Sequence, residues 1–199
     1  MMSYGFYTNT AATTAAVTNR FVASTNMKVG AFTVANASPV WSGGCNVTVT
    51  GTQVGGVDDT LGTVTFTGTD LNGQAISETL TPVNGSTVAG VLIFRTVTAV
   101  SQAGWVINTG NDTLVCGCAA GSYAAGSSGV LGAVVVNATA NATVAISDKR
   151  GTIATLKASI AEGVYPFYLT FQGYLKIATT STNDVTLTHT GTVPQFPNG

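Results

Sequence analysis

The segment from Gly62 to Thr81 shows the clearest alternation of polar and apolar residues in the chain. Its first half has apolar or small residues on one parity and threonines on the other, namely Val64, Phe66 and Gly68 against Thr63, Thr65, Thr67 and Thr69. Because successive side chains of a strand point to opposite faces, this half predicts a strand with one apolar face and one face of hydroxyl groups. Residues 74–81 predict a second strand. Asp70-Leu71-Asn72-Gly73 between them has turn chemistry, so the segment predicts a β-hairpin.

The rest of the chain predicts further short strands, rich in β-branched residues and bounded by Gly, Asn, Asp or Pro. The predicted strands are 28–35, 45–52, 61–70, 74–81, 87–100, 104–108, 113–118, 130–137, 142–147, 152–158, 166–171, 174–179 and 184–189. A bend is predicted at Phe94-Arg95-Thr96-Val97, and hairpin turns are predicted at Asp148-Lys149-Arg150-Gly151 and Phe171-Gln172-Gly173-Tyr174. This spacing favours antiparallel β-sandwiches over a helical fold.

Two stretches without this pattern divide the chain. Residues 1–26 are rich in Thr, Ala and Asn and predict an extended N-terminal arm, either a frayed terminus or a strand ordered by a neighbouring subunit. Residues 119–129 are small and uncharged and predict a Gly/Ser/Ala-rich linker. The expected fold is therefore all-β, with two antiparallel sandwich-like domains of the jelly-roll or immunoglobulin type. The larger domain covers 27–118, and the smaller one covers 130–199 with an extended C-terminal tail.

Composition restricts the classes of partner. Only 8% of the residues are charged, against about 25% in an ordinary globular domain, and the formal net charge is -1. Seven Lys and Arg residues spread along the chain form no basic footprint, so we expect no direct nucleic-acid binding. The chain has no run of 18 apolar residues and no secretory signal pattern, so we expect no membrane partner. Its surface must consist of Thr, Ser, Asn and Gly, or much of it must be covered by something else.

The reactive residue types form no recognisable catalytic pattern. Cys45, Cys116 and Cys118 are interpreted as small core residues with reduced thiols, with a disulfide or a metal site as alternatives. His189 is the only imidazole, and the chain lacks the Gly-x-Ser-x-Gly motif of a serine hydrolase. Asp70-Leu71-Asn72-Gly73 lacks the later bidentate Glu of a calcium loop. The sequence predicts that the protein is not an enzyme and uses no cofactor and no metal.

The hairpin carries a resemblance to a family. Gly68-Thr69-Asp70 through Gly73, Ile76 and Glu78-Thr79, followed by Phe94-Arg95-Thr96-Val97, resembles structural proteins of tailed-bacteriophage particles. In those proteins a GTD-x-x-G-x-x-I-x-E-T hairpin precedes an F-x-x-V strand. Residues 129–187 likewise resemble a small β-module that recurs in phage particle proteins.

The resemblance implies a role in the virion. We expect a capsid decoration, or cement, protein that is made in the host bacterial cytoplasm and binds the major capsid protein on the outer surface of the capsid. It would also contact itself as a homotrimer. Alternatives are a head-tail connector, collar, tail or fibre component, or a host- or carbohydrate-binding β-module that uses Tyr165, Phe167, Tyr168 and Tyr174. The candidate interface residues are Thr63, Thr65, Thr67, Thr69, Tyr4, Phe6, Tyr7 and Phe196.

Overall fold

A computed structural model describes residues 5–12, 15–28, 32–39, 43–54, 59–107, 110–181 and 183–191. These ranges contain strands and no helix, which confirms the predicted all-β class. The strands are β1 Gly5–Ala12, β2 Val17–Asn26, β3 Cys45–Thr52, β4 Thr63–Thr69, β5 Ala75–Leu80, β6 Thr87–Phe94, β7 Thr96–Ala103, β8 Thr113–Cys118, β9 Ser122–Ala125, β10 Gly129–Val136, β11 Val144–Asp148, β12 Gly151–Leu156, β13 Gly163–Phe171, β14 Leu175–Thr179 and β15 Asn183–Gly191. The paired strands run antiparallel. The described part of the chain offers no helix able to cross a membrane.

The chain forms two compact units that interleave along the sequence. The terminal unit comprises Met1–Ala15, Trp41–Gly44 and Ala120–Gly199, and the central unit comprises Ala16–Val40 and Cys45–Ala119. The terminal unit contains the sheets β1-β15-β10-β13 and β12-β11-β14-β9. The central unit contains the sheets β2-β8-β3-β6 and β5-β4-β7.

The predicted hairpin is confirmed as β4 and β5, whose register places Phe66 opposite Glu78. Its turn closes through Asp70, whose Oδ1 accepts hydrogen bonds of 2.8 Å from the backbone N–H groups of Asn72 and Gln74. Gly73 has a φ of 79°, a left-handed conformation that glycine adopts without steric cost. Local turn chemistry therefore produces the hairpin that the sequence predicts.

The alternation within β4 is also confirmed. Val64, Phe66 and Gly68 are buried, whereas the intervening threonines are partly or fully exposed. A Cβ at Gly68 would lie 1.8 Å from the carbonyl oxygen of Thr96, because β7 approaches β4 closely at a register shift. Only glycine fits there, so Gly68 allows β4 and β7 to approach each other this closely.

Buried apolar side chains from both sheets fill each unit. In the central unit they include Phe21, Val22, Met27, Val47, Val49, Val64, Phe66, Phe94, Val97, Leu114 and the three cysteines. In the terminal unit one cluster joins Leu131, Val134, Val136, Val185 and Leu187 of one sheet to Val144, Ile146, Leu156, Leu175 and Ile177 of the other. Burial of these groups supplies most of the favourable free energy of folding.

Several predicted strands differ from those observed. Residues 28–35 and 104–108 contribute only isolated bridges, Phe32 to Val100 and Val106 to Thr60, within the described part of these ranges. The bend predicted in the range 87–100 is confirmed, because β6 ends at Phe94 and β7 begins at Thr96. The two short predicted strands have suitable composition but too few backbone partners to form a ladder.

The predicted arm and linker both contain strands. β1 pairs with β15, and β2 pairs with β8, so residues 5–12 and 17–26 belong to different units. Within the predicted linker, β9 pairs with β14, and its buried Tyr123 contacts the Tyr174 ring at a centroid distance of 5.3 Å. All three strands lie at sheet edges, and only their pairing with strands remote in sequence shows that they belong to sheets.

The turn predicted at 171–174 connects two sheets instead of closing a hairpin. The turn at 171–174 joins β13 to β14, which lie in different sheets of the terminal unit. Gly173 has the expected positive φ of 76°, so the turn chemistry is present. The turn at 148–151 is a true hairpin between β11 and β12.

Candidate contact surfaces

Four of the predicted interface residues lie together on one sheet. Thr63, Thr65, Thr67 and Thr69 occupy the outward side of β4, the central strand of the sheet β5-β4-β7. Thr67 is exposed and the other three are partly buried. With Thr79 of β5 and Thr96 of β7 they form a surface that we call the threonine face.

Hydroxyl groups on the threonine face bond to one another across strands. The Oγ1 atoms of Thr65 and Thr79 lie 2.8 Å apart, and those of Thr69 and Thr96 lie 2.6 Å apart. Thr98 Oγ1 donates to the Thr67 carbonyl at 3.2 Å. Groups that already have partners lose less when water is removed, so covering this face costs less than covering isolated hydroxyls.

The other four predicted interface residues are elsewhere. Phe6 and Tyr7 lie in β1 of the terminal unit, opposite Thr188 and Leu187 of β15. Tyr4 and Phe196 lie outside the described residues. The structure thus brings the threonines together on one sheet and places Phe6 and Tyr7 in the other unit.

A second outward surface lies on the terminal unit, along the edge strand β13. Val164 is 66% exposed and Tyr168 is 78% exposed, and Pro166 and Thr170 are exposed beside them. The neighbouring strand β10 adds three partly buried residues opposite this row, Val130, Ala133 and Val135. We call these seven residues the β13 face.

Tyr168 has an unusual backbone conformation. Its φ is 51°, a left-handed value that is a genuine outlier for a bulky side chain. It lies at a β-bulge, where the register with β10 shifts between the pairs Leu131–Leu169 and Ala133–Pro166. The bulge inserts an extra residue into β13, and Tyr168 keeps the outward parity of Val164, Pro166 and Thr170.

The four aromatic residues considered for carbohydrate binding do not form one exposed cluster. Tyr165 and Phe167 pack against the core of the terminal unit, and Tyr165 Oη donates to the Ala161 carbonyl at 2.8 Å. Tyr174 packs edge to face on Tyr123. Tyr168 alone of the four is exposed.

The β13 face was missed by sequence reasoning, although a signal for it is present. Residues 164–169 are apolar or aromatic on both parities. A strand at the edge of a sheet with one covered side needs only one apolar parity. The second parity therefore indicates either burial on both sides or an exposed apolar surface, and the structure shows the exposed surface.

In the central unit, a bulge of β6 exposes another apolar side chain. Val91 is 82% exposed, and Glu78 of β5 holds the bulge, because its Oε1 accepts the Val91 N–H at 2.6 Å. Asn46 Nδ2 donates to the Leu92 carbonyl at 3.0 Å. These bonds occupy backbone groups of an edge strand, so this part of β6 is protected from pairing with another strand.

One ion pair anchors the end of β13. Arg150 Nη2 lies 2.6 Å from Asp148 Oδ2 and donates to the Thr170 carbonyl at 2.8 Å. The Gln172 N–H donates to the same carboxylate oxygen at 2.9 Å. The Arg150 hydrogen bond, helped by the backbone donors, lowers the pKa of Asp148 to about 2. The network ties the β11–β12 turn to the end of β13.

Burial favours the neutral forms of Cys45, Cys116 and His189. A hydrogen bond with Cys118, together with burial, raises the pKa of the Cys45 thiol, and burial raises that of Cys116. All three cysteines are free and buried. Burial lowers the pKa of His189, whose ring packs edge to face on Phe171. Thiols held protonated are poor nucleophiles and poor metal ligands.

The central unit also has a cleft of about 540 Å³ at one end of β4. Gln53, Thr60, Leu61, Thr81 and Pro82 are among the residues that line it. The Gln53 amide donates to the carbonyl of Asp59 at 3.1 Å, so one of its polar groups is already bonded. In the described residues, no three His, Cys, Asp or Glu side chains group closely enough to hold a metal ion.

Comparison with known proteins gives no relation for this chain, since no family model, curated protein or solved structure matches it. Its function is therefore inferred from its own residues.

Proposed function

We propose that this chain is a structural protein of a tailed-bacteriophage particle, a capsid decoration protein that binds the shell of major capsid protein and stabilises the head. The observation that supports this role is the presence of two outward sheet faces without carboxylate, amine or guanidinium groups. The threonine face and the β13 face both have this character. Interface cores are depleted in charged residues, so such faces suit burial against other subunits.

We infer that each unit is a β-sandwich. The terminal unit supports this most directly, because a single buried cluster draws side chains from both of its sheets. A rigid sandwich presents the outer faces of its sheets at fixed positions, which a protein that bridges capsid subunits requires.

The threonine face is the surface that we assign to the capsid shell. Four of its six hydroxyls form two pairs, Thr65 with Thr79 and Thr69 with Thr96, so these four can be covered without being left unsatisfied. Each contact is individually weak, but a shell offers the same site many times. Linked weak contacts on such a lattice gain strength from effective concentration.

Quantitative mass spectrometry of purified particles tests this role. A decoration protein follows the symmetry of the shell and is present on the order of hundreds of copies, whereas a connector or tail component occupies one vertex in about a dozen copies. A count near a dozen would overturn the decoration role and favour the head-tail, collar, tail or fibre alternative.

A variant identifies the contact surface. Thr67→Arg places a charge in the middle of the threonine face, and we expect it to abolish binding to particles that lack the protein. Thr52→Arg changes an exposed threonine of β3 instead and should bind normally. Equal binding by both variants would exclude the threonine face.

A further inference from the structure

The β13 face is an exposed, strained and mainly apolar surface on the terminal unit. Tyr168 and Val164 are its most exposed members. Tyr168 is exposed and has a left-handed backbone, which a bulky residue adopts only where surrounding structure enforces it. Strain of this kind is concentrated at functional positions, so Tyr168 indicates a contact surface.

A partner of this surface approaches its face and not its edge. Pro166 has no backbone N–H, so a strand added beside β13 would lack one ladder hydrogen bond. The carbonyl of Thr170 already accepts a bond from Arg150 at 2.8 Å. The edge is therefore protected from strand addition, while the outward side chains stay accessible.

The charge pattern suits a second copy of this chain as the partner. In a two-fold contact each surface meets an identical surface, so any charged group is brought near its own copy. The seven residues of the β13 face include no carboxylate, amine or guanidinium. On the next strand, β15, the outward residues Thr186, Thr188 and Thr190 are uncharged, and Asp184 lies at the start of the strand. Across these seven residues two copies can therefore meet without like-charge repulsion.

The sheet that carries the β13 face has an area suited to weak self-association. Its strands have eight or nine residues at about 3.3 Å per residue and lie about 4.8 Å apart, which gives a face of roughly 26 Å by 19 Å, a flat area of about 500 Å². The strands β10 and β13 supply about half of that area. Stable protein interfaces bury about 800 Å² per partner, so a contact that is centred on the β13 face and extends over the sheet lies at the lower end of specific interfaces.

We propose that two copies of this chain pack β13 face against β13 face, with Tyr168 as the central aromatic anchor. Such a contact is isologous and closes at two copies, in contrast to the trimer that the family resemblance implies. The inference does not depend on the particle role proposed above. It is tested on the purified chain, so self-association and capsid binding can fail independently.

Sedimentation equilibrium of the full-length chain, from about 1 μM to about 500 μM, gives the test. We expect the mass to rise from one chain to two across this range. Tyr168→Gly removes the anchor and suits the left-handed backbone, and Ala133→Lys places two like charges in the contact. Each should weaken association at least about tenfold, because aromatic anchors dominate such interfaces and like charges repel across them. Val83→Lys alters an exposed apolar residue of the central unit and should leave association unchanged.

Circular dichroism of each variant shows whether it is folded. The proposal would be overturned if the wild-type chain stays monomeric or forms trimers. It would also be overturned if both β13-face variants dimerise as well as the wild-type chain does. A glycan array supplies the remaining outcome. Glycan binding by a monomeric chain, lost in Tyr168→Gly, would mean that the exposed tyrosine serves carbohydrate recognition instead.

Discussion

The threonine face of the central unit and the β13 face of the terminal unit are both uncharged, but they differ in how their groups are satisfied. On the threonine face, Thr65 bonds Thr79 and Thr69 bonds Thr96 across neighbouring strands. On the β13 face, the most exposed groups are the apolar Val164 and the aromatic ring of Tyr168. On the threonine face these four hydroxyls have hydrogen-bond partners within the sheet. On the β13 face, apolar surface is left in water.

This difference shows that a low content of charge can produce two kinds of surface. Cross-strand hydroxyl pairs give a surface that is stable when exposed and tolerates being covered. An exposed apolar row gains free energy when it is covered, at roughly 25 cal/mol per Å² of apolar surface removed from water. The first surface suits a contact set by shape and repetition, and the second suits association driven by burial.

The largest effects should come from the cores beneath the two faces. Phe66 lies under the threonine face and Phe171 in the core of the terminal unit, and both are fully buried. We expect Phe66→Ala and Phe171→Ala each to lower the free energy of unfolding by about 3–5 kcal/mol. Hydrogen-exchange mass spectrometry should show faster exchange in the unit that carries the substitution. Thr67→Ala should change stability by less than about 0.5 kcal/mol, and a larger loss would mean that the threonine face is part of the fold.

Acid should destabilise the terminal unit more than the central unit, because His189 and Asp148 both lie in the terminal unit. The lowered pKa of His189 means that the unfolded chain binds this proton first. Stability is therefore full above about pH 6.5 and falls as the pH drops below that value. The pKa of Asp148, about 2 when folded, adds stability that is present above about pH 4 and is lost as the pH falls from there through 2.

Urea unfolding of the full chain at a series of pH values, followed in the terminal unit, checks the predicted direction of this pH dependence. His189→Phe should flatten the decline between about pH 7 and pH 5, since an apolar ring has no proton to bind. An identical slope in that variant would assign the acid sensitivity to other groups.

Relief of strain at Tyr168 should have a smaller effect. We expect Tyr168→Gly to stabilise the monomeric terminal unit by about 1 kcal/mol, because the left-handed cost of about 1–2 kcal/mol outweighs the added flexibility of glycine. Thr170→Gly, in the same exposed row, should destabilise by about 0.5–1 kcal/mol. Thermal unfolding of dilute protein compares the two, and a loss of stability in both would argue against strain at Tyr168.

The smallest effect concerns the hydroxyl pairs. A double-mutant cycle of Thr65→Val and Thr79→Val should give a coupling energy of about 0.2–1 kcal/mol, as expected for a cross-strand pair. Chemical denaturation of the four proteins measures it. A coupling near zero would mean that the two hydroxyls prefer water, and the distinction between the faces would be lost.

The sequence predicted well wherever structure depends on near neighbours. The hairpin, its Asp70-Gly73 turn and the break at Arg95 follow from alternation and turn chemistry within a few residues. Glu78 marks the limit of that reasoning. Its place on the inward parity of β5 disturbs the alternation, and only the fold shows that its carboxylate bonds the Val91 amide of β6.

The sequence by itself determined an all-β chain with one well-specified hairpin and a surface poor in charge. The tertiary structure decided which distant segments meet, as when β1 at the start of the chain pairs with β15 near its end. It also decided that Tyr168 points outward while Tyr165 and Phe167 contact the core. The physical reason is that strand and turn preferences act over a few residues. Pairing and exposure depend instead on backbone hydrogen bonds and burial between segments that are remote in sequence.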